Sequence, residues 1–91
     1  MNSVDVRQLT ETTYEVTVQG SSPTTHSVSV PPQYAARLTG GHATAEQLVR
    51  RSFDFLLQRE SNTSILRSFE LTVIARYFPE YECVIRDMLN D

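Results

Sequence analysis

Residues 44–59 read TAEQLVRRSFDFLLQR, and this stretch predicts an amphipathic helix that follows a series of strand-like segments. Thr44 and Gln47 have the Ser/Thr-x-x-Glu/Gln spacing of a capping box, in which both side chains satisfy backbone donors at a helix start. One broad face of the helix is mostly apolar, and it carries Leu48, Val49, Ser52, Phe53, Phe55 and Leu56. The opposite face is polar and includes Arg50. We therefore expect Phe53 to lie in the core and Arg50 to lie in solvent.

Upstream of this helix, polar and apolar residues alternate in three short segments, at residues 4–9, 14–19 and 25–30. A period of two indicates strands, each buried on one face. Gly20 and Pro23 flank the break between the second and third segments. Pro31 and Pro32 end the third, because proline cannot donate to a ladder of hydrogen bonds. Three short strands with short connections predict an antiparallel meander.

The other segments predict helices. Pro32 can begin a short helix that Gly40 and Gly41 end. Residues 65–78 are strongly apolar and are interpreted as a turn and a short helix, and residues 79–89 have the spacing of a final amphipathic helix. The predicted fold class is α+β, a three-stranded antiparallel β-meander followed by three to four α-helices packed on one face. We expect residues 1–91 to form a single domain, with strands at about 4–30 and helices at about 32–89.

The composition is that of a globular chain with a small negative charge. Of its 91 residues, 40% are hydrophobic and 21% are charged, and the formal net charge is −3. A negative balance disfavours general binding to nucleic acid or to anionic membranes, which both rely on a cationic surface. A chain of this length buries only a modest core, so we expect self-association as a homodimer.

Cysteine usage and hydropathy predict a cytoplasmic location. The single cysteine, Cys83, excludes an intrachain disulfide, as is typical of proteins in a reducing compartment. The N-terminus has neither the basic leader nor the apolar region of a secretion signal. No apolar run approaches the ~20 residues that span a bilayer. We therefore expect no membrane contact.

No pattern in the sequence predicts a catalytic site, a cofactor or a metal centre. His26 falls on the apolar face of the third segment, where a histidine is either a hydrogen-bonded core residue or an acid–base catalyst. His42, His26 and Cys83 have no second ligand at the spacing of a metal site. Glu80 and Glu82 lie beside Cys83 and disfavour a reactive thiolate. We expect a protein that is not an enzyme.

Three aromatic residues, Tyr77, Phe78 and Tyr81, surround Pro79 at a break between predicted helices. Such a cluster either packs at a corner of the core or anchors an interface, where aromatic residues are over-represented. The apolar faces of the helices exceed what three short strands can cover, which favours an interface. Tyr77, Phe78 and Tyr81 are therefore our candidate interface residues.

Residues 27–31 read SVSVP and lead into a short helix, after which comes the capped helix at 44–57. This order resembles the ribbon-helix-helix DNA-binding family, in which a strand with a Val-x-Val-like pattern enters the first of two helices. The resemblance implies that Ser27 and Ser29 face bases in the major groove. It also implies that Thr44 caps a helix near the phosphates.

The chain departs from that family in several respects. Its first helix ends early, at Gly40 and Gly41, and the outward strand positions carry no basic residue. Its third strand is predicted to pair with residues 14–18 of the same chain, whereas the family pairs this strand across a dimer. DNA binding by this route would be favoured by an outward basic patch, for which the candidates are Arg37, Arg50 and Arg51.

The chain as a whole resembles an uncharacterised group of small bacterial proteins. The resemblance is carried by FDFLLQRE at residues 53–60, SIL at 64–66 and RYFPEY at 76–81, and it implies no activity. The leading hypothesis is a small cytoplasmic, non-catalytic protein–protein interaction or assembly module. The alternative is a nucleic-acid-binding regulator or an antitoxin-like protein of ribbon-helix-helix type.

Overall fold

The computed structural model describes residues 3–20 and 22–90, which form a mixed β-sheet and a layer of helices. The strands in these residues are β1 (Ser3–Gln8), β2 (Thr13–Gln19), β3 (Thr24–Ser29) and β4 (Ser68–Glu70). The helices are α1 (Pro32–Thr39), α2 (Ala45–Leu57), α3 (Val73–Tyr77) and α4 (Tyr81–Asn90), and one turn of 3₁₀ helix spans Asn62–Ser64. The predicted α+β class is confirmed.

The strands lie in the order β1-β2-β3-β4, so β1 and β4 are the edges of the sheet. β1–β2 and β2–β3 are antiparallel pairs, as the meander predicts. β4 differs from the prediction, because it pairs in parallel with β3 and lies in a region interpreted as a turn and a helix. A strand of three residues is too short to be recognised by its alternation, and its place in the sheet is defined by its distant partner.

Alternation along the strands separates a buried face of the sheet from a solvent-facing one. In β2, Tyr14, Val16 and Val18 are buried. In β3, His26 and Val28 are buried on the same face, because they lie opposite Val16 and Tyr14. Thr24, opposite Val18, is half-buried on this face as well, and the residues that alternate with these are polar and form an outer face open to solvent. The sheet is therefore covered by helices on one side.

α2 begins and packs as its sequence predicts. The Thr44 Oγ1 atom accepts a hydrogen bond from the Gln47 N–H at 3.1 Å, and the Gln47 Oε1 atom accepts one from the Thr44 N–H at 2.9 Å. The buried residues of α2 are the six predicted ones, Leu48, Val49, Ser52, Phe53, Phe55 and Leu56. Phe53 is fully buried, and its ring centroid lies 5.3 Å from that of His26 and 6.1 Å from that of Phe69. α2 is therefore the central helix of the core.

The ends of the other helices follow from residues that cannot continue them. Gly40 ends α1 in the left-handed region at φ 61°, where its N–H reaches the Ala36 carbonyl at 2.9 Å. Gly41 also has positive φ, at 80°. Phe78 ends α3 in an extended conformation before Pro79. None of the helices within residues 3–20 and 22–90 is both long and apolar enough to cross a membrane.

Candidate functional site

An apolar groove of about 330 Å³ lies between the end of α2, the segment before β4, and α3. We call it the α3 groove. Eight of its ten lining residues are apolar or aromatic, and the full set is Leu56, Glu60, Ser64, Ile65, Leu66, Phe69, Val73, Ile74, Tyr77 and Phe78. Its volume is near the lower end of the about 300–1,000 Å³ of ligand sites. The α3 groove is therefore suited to apolar side chains.

Two large apolar side chains at this groove are exposed to solvent. Tyr77 is 69% exposed and Leu66 is 49% exposed. Within the described part of the chain, one other large apolar side chain is similarly exposed, Leu9 at 49%, and it follows β1 outside the groove. Single exposed apolar residues are normal, but a contiguous apolar surface marks an interaction site. Leu66 and Tyr77 form such a surface together with the groove.

The open edge of β4 adjoins the α3 groove. The Ser27 N–H donates to the Arg67 carbonyl at 2.7 Å, and the Leu71 N–H donates to the Ser29 carbonyl at 2.9 Å. Because backbone groups along a strand point alternately to its two sides, Ser68 and Glu70 direct their N–H and C=O groups away from β3. The backbone there can accept a further strand. Phe69, between them, lines the groove.

A chain of hydrogen bonds holds the segment that carries Leu66. The His26 Nδ1 atom donates to the Leu66 carbonyl at 2.8 Å, since a carbonyl can only accept. The His26 Nε2 atom lies 2.8 Å from Thr24 Oγ1, and the same Thr24 oxygen accepts a hydrogen bond from Asn62 Nδ2 at 2.9 Å. Asn62 Nδ2 donates in addition to the Ser22 carbonyl at 2.8 Å. These bonds fix one wall of the groove to β3.

The three aromatic candidates for an interface occupy different environments. Tyr77 is exposed at the groove, and Phe78 is half-buried against Phe55 in an edge-to-face contact at 5.8 Å. Tyr81 is fully buried, so its ring does not reach the surface. The ring of Phe55 packs edge-on against Tyr81 at 5.2 Å, where α4 meets α2. The structure therefore brings Tyr77 and Phe78 to one surface and assigns Tyr81 to the core.

Ser52 and Tyr81 form a hydrogen-bonded pair in the core. The Ser52 hydroxyl donates to the Leu48 carbonyl at 2.6 Å, because that carbonyl can only accept. The Tyr81 hydroxyl lies 2.6 Å from Ser52 Oγ and consequently donates to it. Burial raises the pKa of the Tyr81 hydroxyl, and this outweighs the hydrogen bond to Ser52, which lowers it. Tyr81 is a neutral donor that ties α4 to α2.

A second tyrosine links α1 to α4. The Tyr34 hydroxyl donates to Glu82 Oε2 at 2.9 Å, and the Arg37 guanidinium contacts the same oxygen at 2.9 Å. The guanidinium carbon lies 5.1 Å from the centroid of the Tyr34 ring. Burial and the hydrogen bond to the Glu82 carboxylate raise the pKa of Tyr34. Arg37 is engaged in a contact within the chain.

The candidate nucleic-acid residues do not form one surface. Ser27 and Ser29 lie on the outer face of β3, which has β2 on one side and β4 on the other, and Arg37 contacts Glu82. In α2, Arg50 donates to the Val4 carbonyl at 2.6 Å and Arg51 lies 3.6 Å from Asp54. Arg50 and Arg51 line a second surface pocket, of about 480 Å³, with Glu46 and the exposed His42. The arginines are divided between two helices.

Leu66 and Phe69 are groove residues that sequence reasoning missed. Both lie in the apolar segment interpreted as a turn and a helix. One signal was available: Ile65 and Leu66 are consecutive apolar residues after a polar turn, and successive side chains of an extended chain face opposite sides. Ile65 is buried and Leu66 is exposed, as that alternation requires.

The described residues contain no group of three or more His, Cys, Asp or Glu side chains placed to hold a metal ion. Cys83 is free and exposed. Comparisons with protein-family models, with curated proteins and with solved structures found no match to the chain.

Proposed function

We propose that the protein is a small, non-catalytic protein–protein interaction module that works in the cytoplasm as a homodimer and binds a partner protein in the α3 groove. The observation that carries the proposal is the exposure of Leu66 and Tyr77 at an apolar groove. Covering these side chains would remove apolar surface from water, which gains roughly 25 cal/mol of free energy per Å² buried. The groove therefore supplies a driving force for association.

The partner that suits this surface is an extended segment that adds a strand to β4. Ser68 and Glu70 offer backbone donors and acceptors, and the adjoining groove receives an apolar side chain, as in other cases of strand addition. Main-chain hydrogen bonds would then give affinity, and the groove would give specificity for leucine, phenylalanine or a residue of similar size.

Charge adds a second element of specificity. Leu66 is followed by Arg67, and Tyr77 is preceded by Arg76; both arginines are exposed. The ion pairs within residues 3–20 and 22–90 use other arginines, Arg37, Arg51 and Arg59. Glu60 lines the groove itself, so a bound apolar residue with aspartate or glutamate neighbours would be favoured where those neighbours lie toward Arg67 and Arg76 and away from Glu60.

Three features support, in turn, the non-catalytic role, the cytoplasmic location and the homodimer. His26 is 1% exposed, and both of its ring nitrogens have partners within the chain, so it is withheld from any substrate. Cys83 is a free thiol, as is typical of reducing compartments. The core of a 91-residue chain is modest, which favours self-association.

The nucleic-acid alternative has less support. Ribbon-helix-helix proteins read DNA with a strand that pairs across a dimer, whereas β3 has strands of its own chain on both sides. Its candidate arginines contact a carboxylate or a backbone carbonyl of the same chain. A weak, salt-dependent affinity for any duplex would not support this alternative, since non-specific binding to phosphates requires no dedicated recognition site.

The experiment is a selection from a random library of ten-residue peptides, with depletion on the Leu66→Ser variant. We expect the enriched peptides to share a large apolar residue with acidic neighbours. Their binding should be weakened about tenfold or more by Leu66→Ser, which is the loss of roughly 1.4 kcal/mol. Amide shifts of the labelled protein on peptide addition should cluster at residues 64–78.

Leu9→Ser is the matched control, because Leu9 and Leu66 are both 49% exposed and Leu9 lies outside the α3 groove. It should bind the selected peptides as the wild type does. The proposal is wrong if no peptide is enriched over the Leu66→Ser variant, or if both serine variants lose affinity equally.

A further inference from the structure

β1 has an open edge whose backbone groups can be assigned. The Leu9 N–H donates to the Thr13 carbonyl, which lies directly opposite, at 2.9 Å. Odd-numbered residues of β1 therefore bond to β2, and Val4, Val6 and Gln8 direct their N–H and C=O groups to the outside. Arg50, which reaches the Val4 carbonyl at 2.6 Å, confirms this direction. In the described part of the chain, this is the one hydrogen bond to those outward groups.

We propose that β1 pairs antiparallel with β1 of a second copy, around a two-fold axis at Val6. This inference rests on the homodimer of the proposed function and gives it an interface. The two four-stranded sheets would then form one sheet of eight strands. The contact is isologous, so each copy presents the same edge.

The charges of β1 select this register. Asp5 and Arg7 lie on the outer face, on either side of Val6. With the axis at Val6, Asp5 of each copy lies opposite Arg7 of the other, which gives two attractive pairs. An axis at Asp5 or at Arg7 would place like charges directly opposite each other, which is destabilising. A register shift of one residue would place the axis between two residues. It is excluded, because it would pair inner-face side chains of one copy with outer-face side chains of the other.

The neighbouring strand strengthens this charge pattern. Arg7 lies opposite Glu15 of β2 in the register of the sheet. In the dimer, Arg7 would lie in one row between Glu15 of its own copy and Asp5 of the other. Each guanidinium would thus have a carboxylate on both sides, which the single copy cannot offer.

The inner face and the outward carbonyls are compatible with the pairing. Val4 and Val6 are half-buried and pack against the core under α2. Pairing would place Val6 against Val6 of the second copy and cover more of both side chains. The Val4 carbonyl would keep its bond from Arg50 and accept a second one from the Gln8 N–H of the other copy, because a carbonyl oxygen has two lone pairs.

The test uses molar mass by light scattering, over a range of concentrations, for the wild type and for Asp5→Arg and Arg7→Asp. Each single change replaces two attractive pairs by two repulsive ones. The dissociation constant of the dimer should therefore rise about tenfold or more for each variant. Glu11→Arg, which makes the same charge change as Asp5→Arg but in an exposed turn residue, should dimerise as the wild type does.

A mixture of the two variants separates charge complementarity from misfolding. Asp5→Arg and Arg7→Asp together restore both opposite-charge pairs, so the mixture should form a heterodimer although each variant alone is monomeric. Circular dichroism would show that each variant is folded. Mixing without recovery of the dimer would overturn the proposed register.

The remaining outcomes distinguish this inference from the function it rests on. A wild-type dimer that Asp5→Arg and Arg7→Asp leave intact would overturn the β1 interface and leave the homodimer standing. A wild type that is monomeric at all concentrations would overturn both, without touching the peptide-binding role of the α3 groove.

Discussion

Replacing Ser52 by alanine should lower the free energy of unfolding by more than the removal of a single hydroxyl group would suggest. Ser52 Oγ is the acceptor for the Tyr81 hydroxyl, and both side chains are fully buried. Ser52→Ala leaves that hydroxyl without a partner among apolar neighbours, which costs about 1–3 kcal/mol. Tyr81→Phe removes the donor and keeps the ring, while Ser52 still donates to Leu48. Its cost should be about 0.5–1.5 kcal/mol.

The double variant tests the reasoning, because it removes the unpaired hydroxyl that makes Ser52→Ala expensive. Its cost should be less than the sum of the two single costs by about 1 kcal/mol, as coupled neighbours show in double-mutant cycles. Urea unfolding measures these differences. With a slope of about 1–2 kcal/mol per M, Ser52→Ala should lower the urea midpoint by about 0.5–3 M.

Ser27→Ala is the control, since Ser27 is exposed on the outer face of β3, and it should stay within about 0.5 kcal/mol of the wild type. The assignment of Ser52 as acceptor would be refuted if Ser52→Ala cost no more than this control. The assignment would also be contradicted if the cost of the double variant equalled the sum of the two single costs.

Three further measurements follow from the core, the tyrosines and the helix cap. Phe53→Ala should cost about 3–5 kcal/mol in chemical denaturation, since Phe53 is fully buried, and a cost under about 1 kcal/mol would contradict its place in the core. Burial raises the pKa of both Tyr34 and Tyr81, so the unfolded chain loses these protons first, near the ordinary value of 10.0. The free energy of unfolding should therefore be constant up to about pH 10 and fall above it. Urea unfolding at a series of pH values should show a steeper fall for the wild type than for Tyr81→Phe. Thr44→Ala should cost about 0.5–2 kcal/mol, because Gln47 loses its capping partner, whereas Thr44→Ser should cost much less in the same assay.

Local patterns predicted the elements whose signals are contained in a few neighbouring residues. The capping box at Thr44 and Gln47 and the apolar face of α2 are of this kind, and both are as predicted. β4 was missed, because its three residues become a strand only beside β3, about forty positions earlier in the chain. Short period-two segments have no signal of their own at that length.

The candidate site depended even more on distant contacts. Arg50 is exposed, as the polar face of α2 predicts, but its hydrogen bond to the Val4 carbonyl at the edge of β1 joins residues 46 positions apart, which no local pattern predicts. Tyr81 belongs to an aromatic cluster in the sequence, but the packing of α4 on α2 buries it. The α3 groove is formed by three segments that meet in the folded chain, so no single segment could predict it.

The hydrogen bonds between β3 and the segment before β4 also bear on the order of folding. His26 and Leu66 are 40 positions apart, as are Asn62 and Ser22, and such contacts pay a loop-closure entropy that the β1–β2 and β2–β3 hairpins largely avoid. The hairpins and α2 should therefore form before residues 62–71 dock. The Leu71 N–H makes the last hydrogen bond of the β3–β4 pair. Hydrogen exchange at this amide would then report on the part of the structure that forms last. The α3 groove would therefore form after the hairpins and the helix on which it is built.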